Sequence, residues 1–431
     1  MLGKRPAHLL RVSTQLAVIG AMVFVAACSP AAAPTIKIAS QSPLSGKQAS
    51  LGTAIKNGAA LAVKQLSKSI TDLGFKVEFV PFDDQATPDV GVANAQNIVN
   101  DASILAVVGH LNSGVAIPSS EVYAKSDLAM VSPANTNPKV TDRDSTHLIT
   151  NRVCGRDDIQ GPVGAKYVAT VLNAKTVYVI TDKTAYGDGV GNAFADAVKG
   201  MGVQVLGNQA TEEGSNFDAI LTPIAALNPD VIYYGGIYDK GAVLFKQARE
   251  KGIKSQLFGA DGLDSSDLVK IAGDASVGFI FTTTAGPSTL FPDAKQFITD
   301  FEAEYKVDQV ETYAPEAYAS TQVVIAGITK AIKDNGGKLP TRKQVAAAIR
   351  ATSGLKTVVG TLTFDANGDP QIASYYIEKV VSSDVALYGT TGKSTLQILT
   401  FPSPLTAAAS APAAAGTAAA APAAATMAAT P

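Results

Sequence analysis

Few side chains in this 431-residue chain combine reactivity with a neighbour that could activate them. Asp83 and Asp84 are adjacent carboxylates of the kind used in acid/base work, but successive residues at the end of an extended run point to opposite faces, so the pair reads as a solvated turn. Gly187-Asp-Gly-Val-Gly191 follows an apolar run and opens a helical pattern, as phosphate-binding loops do. It lacks the G-x-G-x-x-G spacing, its first glycine falls six residues past Thr181, and no G-x-x-x-x-G-K-S/T occurs. Neither G-x-S-x-G nor H-E-x-x-H is present. His110 and His147 have no histidine or cysteine at metal-ligand spacing, which argues against zinc. With no nucleophile set beside a base, the chain is not expected to be an enzyme, nor to need a metal or cofactor. Ser113 differs in kind. It lies just past a strand, at the start of a helix containing Val115 to Ala124, where free N–H groups and the positive dipole end favour an anion.

The elements that must hold such groups are of α/β type. Ile36-Lys-Ile-Ala, Val77-Glu-Phe-Val, Ile104-Leu-Ala-Val-Val and Leu128-Ala-Met-Val read as strands bounded by Gly, Pro, Asn or Asp. Between the first two, Ile55, Ala59, Ala62, Leu66 and Ile70 recur at steps of three or four and define one apolar helix face. The order strand, helix, strand implies a parallel sheet flanked by helices. The same grammar restarts after Asn151-Arg-Val-Cys-Gly-Arg-Asp-Asp, with strands at Thr176 to Thr181, Val203 to Leu206 and Val231 to Tyr234, and helices near 158–172, 189–200, 216–227 and 239–252. Two α/β units are the simplest account. Helices at Ala314 to Lys333 and Arg342 to Arg350, then an alternating run from Ser374 to Val381, could complete either unit on periodicity alone.

Composition and the two ends narrow the class further. A hydrophobic content of 46% supports packed cores, and a net charge of −2 without a basic stripe argues against nucleic acid as a partner. Lys4, Arg5 and Arg11 precede an apolar stretch from Leu16 to Ala27, the layout of a secretory signal over residues 1–27. Those twelve residues rise only about 18 Å as a helix, short of the roughly 30 Å hydrocarbon core. Val25-Ala-Ala-Cys28 resembles a bacterial lipobox, in which the cysteine carries the lipid, so residues 28–35 are expected to form an anchored linker. An acylated Cys28 would leave Cys154 without a disulfide partner. Residues 404–431, almost all Ala with Pro, Ser, Thr and Gly, read as a disordered tail.

Three collinear segments resemble the leucine/isoleucine/valine-type, branched-chain amino acid binding proteins of ABC transporters, in their lipoprotein form. The first is Gly109-His-Leu-Asn-Ser-Gly with Leu128-Ala-Met-Val-Ser-Pro-Ala-Asn-Thr-Asn-Pro. The second is Arg152-Val-Cys-Gly-Arg-Asp-Asp-Ile-Gln-Gly-Pro with Asp182-Lys-Thr-Ala-Tyr-Gly-Asp-Gly. The third is Tyr233-Tyr-Gly-Gly-Ile-Tyr continuing to Phe258-Gly-Ala-Asp-Gly. With Ser42-Pro-Leu-Ser-Gly and Phe82-Asp-Asp-Gln, the likeness spans residues 36 to 385.

The resemblance implies two Rossmann-like lobes joined by a three-crossover hinge, the type I periplasmic binding arrangement. Lobe 1 would comprise 36–152 and 287–363, lobe 2 would comprise 153–286 and 364–398, and the crossovers would fall near Arg152 to Asp158, Thr284 to Pro287 and Phe364 to Asn367. Ser113, Thr136 and the backbone of Ala134 would hold the carboxylate and amine of an amino acid. Tyr186 would close over it, and Asp261, in place of the family's glutamate, would face its ammonium. Leu51 and Ile237 stand where the best-known members carry aromatic residues, with Tyr238 beside them on the pocket wall, so branched-chain selectivity, other amino acids, amides and related small polar compounds all stay open. The implied partners are ABC permease subunits, and the implied setting is extracytoplasmic, with the lipid on the cell membrane. A ligand-sensing module of a signalling system is the alternative use of the same fold.

Overall fold

The computed structural model describes residues 33–410, and its strands fall mainly into two sheets wound in the same way. In the first lobe β1 (Thr35–Ser42) leads through α1 (Ala49–Leu66) and α2 (Lys68–Thr71) to β2 (Lys76–Asp83), then α3 (Pro88–Asn100), β3 (Ile104–Gly109), α4 (Ser113–Ala124), β4 (Ala129–Ser132) and β5 (Thr150–Arg152). All pairings are parallel and the order is β2-β1-β3-β4-β5. Every residue of β3 and β4 is buried, the signature of parallel strands covered on both faces.

The second lobe repeats this plan. Its elements are α5 (Asp157–Thr170), β6 (Thr176–Thr181), α6 (Ala185–Gly200), β7 (Gln204–Ala210), α7 (Asp218–Leu227), β8 (Val231–Gly235), α8 (Tyr238–Glu250), β9 (Gln256–Gly259), α9 (Ser266–Ala272) and β10 (Ile280–Thr283). Strands β7-β6-β8-β9-β10 are parallel and follow the order of the first sheet. The chain then returns to lobe 1, where α10 (Lys295–Tyr305), α11 (Ala314–Asp334) and α12 (Arg342–Arg350) pack near α1, β3 and β4, with Gly58 of α1 so close to the Ala314 carbonyl that a Cβ would sit 2.2 Å from its oxygen. A small hairpin of β11 (Leu355–Thr357) and β12 (Gly360–Leu362) follows, and β13 (Ile372–Val380) and β14 (Lys393–Pro402) add antiparallel strands to the second sheet.

Local readings change in four places. The apolar face traced from Ile55 to Ile70 is split at Ser67, whose hydroxyl bonds back to the Val63 carbonyl and interrupts the helix. Strand β14 runs to Pro402, four residues past the expected end of lobe 2. Residues 404–410, expected to be disordered, form the helix α13 (Pro404–Ser410): Pro404 suits a first helical position and the Ser403 hydroxyl accepts from Thr406 N–H at 3.1 Å. Asp83 is the turn residue the sequence suggested, accepting from Leu44 and Gln85 N–H, but Asp84 is fully buried because His110, after β3, folds over it with Nδ1 3.3 Å from its carboxylate. The signal segment, Cys28 and most of the tail lie outside the described residues.

Candidate functional site

In doubly wound sheets the loops at the carboxyl ends of the strands, where strand order reverses, form a crevice. The first lobe supplies the loops after β1, β3 and β4, and the second those after β6, β8 and β9. Both lobes belong to one contact unit beginning at Pro34, and these loops meet.

Ser113 opens α4 as its first residue, with Asn112 before it; the Asn112 carbonyl accepts from Val115 and Ala116 N–H (3.0 Å each), which leaves the N–H groups of Ser113 and Gly114 without an intrahelical acceptor, and the positive helix end faces the loop after β4. That loop is rigid. Ser132 Oγ accepts from the N–H groups of Ala134 (3.2 Å) and Asn135 (2.8 Å), and the Asn135 amide splices it to the β3 loop by accepting from His110 N–H and donating to the Leu111 carbonyl. Because the Ala134 N–H is taken, Ala134 can offer a ligand its carbonyl. Arg152, fully buried, donates to the carbonyls of Asn135 (2.6 Å) and Asn137 (3.1 Å). Thr136 lies between: Asn137 N–H reaches Ser113 Oγ at 3.4 Å on one side, and Asp157 N–H donates to the Thr136 carbonyl at 2.9 Å on the other.

The second lobe brings carboxylates. Asp261 is 1% exposed, not on a surface loop, and its oxygens are occupied: Oδ1 accepts from Gln160 Nε2 (2.8 Å) and the Tyr186 hydroxyl (2.9 Å), Oδ2 from the Tyr313 hydroxyl (2.7 Å). Tyr186 in turn accepts from Gly262 N–H at 2.7 Å. Asp157, at the start of α5 and also 1% exposed, is the opposite case, since neither carboxylate oxygen has a well-formed hydrogen bond. The Thr136 hydroxyl, Gln160 Oε1 and the Tyr233 hydroxyl are likewise buried without a well-formed hydrogen bond. Burial, and then the charge of Asp261, pushes the Asp157 carboxyl well above the usual carboxylate range, the Thr136 hydroxyl offsetting part of this. Burial also raises Asp261, against the three donors that stabilise its ionised form.

The lobes are closed on one another. Asn137 Nδ2 donates to the Ala185 carbonyl (2.6 Å), Tyr238 to the Lys47 carbonyl (2.8 Å), and Gln48 to Asp239 (3.3 Å). Gly189 of α6 makes this approach possible, since a Cβ there would lie 2.6 Å from Asn137 Nδ2. Leu51 and Ile237 join one apolar cluster with Leu111, Ala134 and Tyr186, whereas Tyr238 spends its hydroxyl on the interlobe contact.

Asp157, Gln160, Tyr233 and Tyr313 are therefore site residues to which the sequence assigned no role. The first three lie inside the segments that carry the resemblance. Tyr313 follows the chain's return to lobe 1 and had no motif to mark it. Among the described residues no group of three acidic, histidine or cysteine side chains could hold a metal, and no helix is long and apolar enough to cross a membrane.

Comparisons with known proteins agree on this architecture. The Leu/Ile/Val-binding protein BraC3 of Rhizobium johnstonii is 36% identical over 354 residues, 82% of this chain and 94% of its own length. An amino acid binding protein of Pseudomonas aeruginosa is 33% identical, over 78% of this chain and 87% of that one. The structure of a leucine binding protein, LivK, from Thermotoga maritima superposes with a TM-score of 0.75 at 27% identity, covering 84% of this chain and 98% of that one. A solute-binding protein from R. palustris in complex with benzoate shares the fold at a TM-score of 0.72 and 20% identity. The periplasmic binding protein model matches residues 35–384: the chain belongs to the periplasmic binding protein family and is a solute-binding protein.

Proposed function

We propose that the protein binds a free amino acid with an aliphatic or small polar side chain and delivers it to an ABC importer, without chemical change. One observation carries this reading: the closed cleft has opposite polarity at its two ends, with the start of α4 and Ser113 suited to a carboxylate, and the unpartnered Asp157 with Asp261 suited to an ammonium. Each end of a zwitterion must exchange water for fixed partners on burial, and these groups offer them. Ser113, the Ala134 carbonyl and Thr136 receive the ligand on the first lobe. Tyr186 and Asp261 then close from the second, Asp157 taking the ammonium directly and Asp261 aligning Tyr186, Gln160 and Tyr313 around it.

Leu51 and Ile237 supply an apolar wall for the side chain, and the relatives named as Leu/Ile/Val-binding proteins support that choice. A lipid on Cys28 would hold the protein at the outer side of the cell membrane beside the permease, which reads the closed form. Thermal-shift and calorimetric screening of the purified protein against amino acids, their amides and decarboxylated amines is the test. Binding that needs both charged ends is expected, and tight binding of an aromatic acid lacking an amine would sink the reading.

A further inference from the structure

A second group of acids lies where residues 285–290, the start of α11 and the β13–β14 hairpin meet around a partly open cavity of ≈ 90 Å³. Asp264, Glu311, Glu316 and Glu378 line it against a single ammonium, that of Lys393. Two of these acids are satisfied. Asp264 accepts from the Tyr388 hydroxyl (2.8 Å) and Lys393 (2.6 Å), and Glu311 accepts from the N–H (3.1 Å) and hydroxyl of Ser266. Lys393 also lies 4.3 Å from the centre of the Tyr388 ring, which fixes its charge on that side. The other two are not satisfied. Glu378 is fully buried and Glu316 is 3% exposed, yet both oxygens of Glu378 and Oε2 of Glu316 have no well-formed hydrogen bond.

We propose that this cavity is a second binding site, for a small organic cation bearing N–H donors, an alkylammonium in the simplest case. Glu316 stands on α11 and Glu378 on β13, and among the described residues no three such side chains converge as a metal ion requires. Acceptors spread over different walls suit a cation whose N–H groups point in several directions better than an ion that needs oxygens at one radius. Burial pushes Glu316 up to about 8 and Glu378 up to about 7, with the Lys393 charge, and for Glu378 the Thr395 hydroxyl, offsetting only part of that cost.

The cavity is also wired to the cleft. Tyr313 lines it, and its hydroxyl donates to Asp261. Its φ of 69° lies in a region an aromatic residue seldom adopts, so the ring is held there by its surroundings. A cation between Glu316 of lobe 1 and Glu378 of lobe 2 ties the lobes together behind Tyr313.

The test titrates the purified full-length protein with methylammonium chloride and, at equal ionic strength, with tetramethylammonium chloride, which has the charge but no N–H. The unfolding temperature should rise saturably with methylammonium alone. The rise should survive in Asp157→Asn, which removes the cleft's own free carboxylate, and be lost in Glu378→Gln, with Glu316→Gln as the second variant should the first not fold. Equal responses to both salts, no saturable response, or a response abolished by Asp157→Asn and untouched by the glutamate variants each overturn the proposal.

Discussion

Buried carboxylates meet opposite fates at the hinge and in the cleft. At the hinge, Asp369 accepts from Arg152 Nε (2.6 Å), Arg156 (2.7 Å) and the Thr141 hydroxyl (2.9 Å). Burial works to raise its pKa, but the two guanidinium charges outweigh it and hold the carboxyl below its ordinary value. Arg156 reaches on to Asp142 and Asp158, so the first and third crossovers are clipped by a network that is complete within the protein. Asp157, next to Arg156 in sequence, makes no ion pair, and burial with the charge of Asp261 pushes it the other way, the Arg152 charge offsetting only part. The contrast separates acids that hold the fold from acids left incomplete for a mobile partner.

The largest effect should come from breaking the hinge. Asp369→Asn leaves the fully buried Arg152 without its carboxylate, and removing one partner of a buried pair costs about 3–5 kcal/mol, so denaturant titration should show a loss of that order. Asp157→Asn should do the reverse. It relieves an uncompensated buried charge, so the ligand-free protein should be as stable as before or more so, while amino-acid affinity falls by about 2–5 kcal/mol in calorimetry. Comparable destabilisation by both substitutions would erase the distinction.

The pH dependence sharpens the comparison. A bound ammonium favours ionised Asp157, so affinity should be flat above the raised pKa of that residue and fall as pH drops through it, by about tenfold per unit. Asp369 has a depressed folded pKa, so its stabilisation is present above the ordinary carboxylate range and lost only as pH falls through that lower value. Binding should therefore fail at a higher pH than folding. Affinity and stability measured over one pH series check this, and a common midpoint would contradict it.

The same division explains how far the sequence could be read. Continuous apolar runs such as Ile104–Gly109, and helices with one apolar face such as 314–334 and 342–350, announce themselves because both faces or one stripe must be buried. Strand β14 did not, because at a sheet edge Leu396 and Ile398 are exposed while Thr395 and Gln397 pack inward, so its alternation carries no inside and outside. Spacing rules out a phosphate loop at the Gly187–Gly191 cluster but does not say what the cluster is for. Its glycines instead make room, Gly187 for the Gly235 carbonyl, Gly189 for Asn137 and Gly191 for Thr181, a use that depends on what packs opposite. Ser113 could be marked by its place at a helix start, but Thr136, Tyr186 and Asp261 stood out only through a family likeness. That Asp261 is saturated and Asp157 is not depends on where Gln160 and Tyr313 arrive, which no spacing encodes.

The smallest expected effect concerns the latch across the mouth of the cleft. Tyr238 is fully buried, its ring packs in the apolar cluster, and its hydroxyl donates to the Lys47 carbonyl at 2.8 Å, so Tyr238→Phe keeps the packing and deletes one interlobe hydrogen bond. A single neutral hydrogen bond contributes about 0.5–1.5 kcal/mol net, so affinity should weaken by about two- to twelvefold. Closing rates should change less than opening rates, because the bond forms only once α8 has reached the loop before α1. Stopped-flow release of ligand, faster in the variant with association unchanged, is the expected pattern. If Tyr238 instead shapes the pocket wall against the ligand, the substitution will reorder preferences among amino acids while leaving the release rate of the best one unaltered.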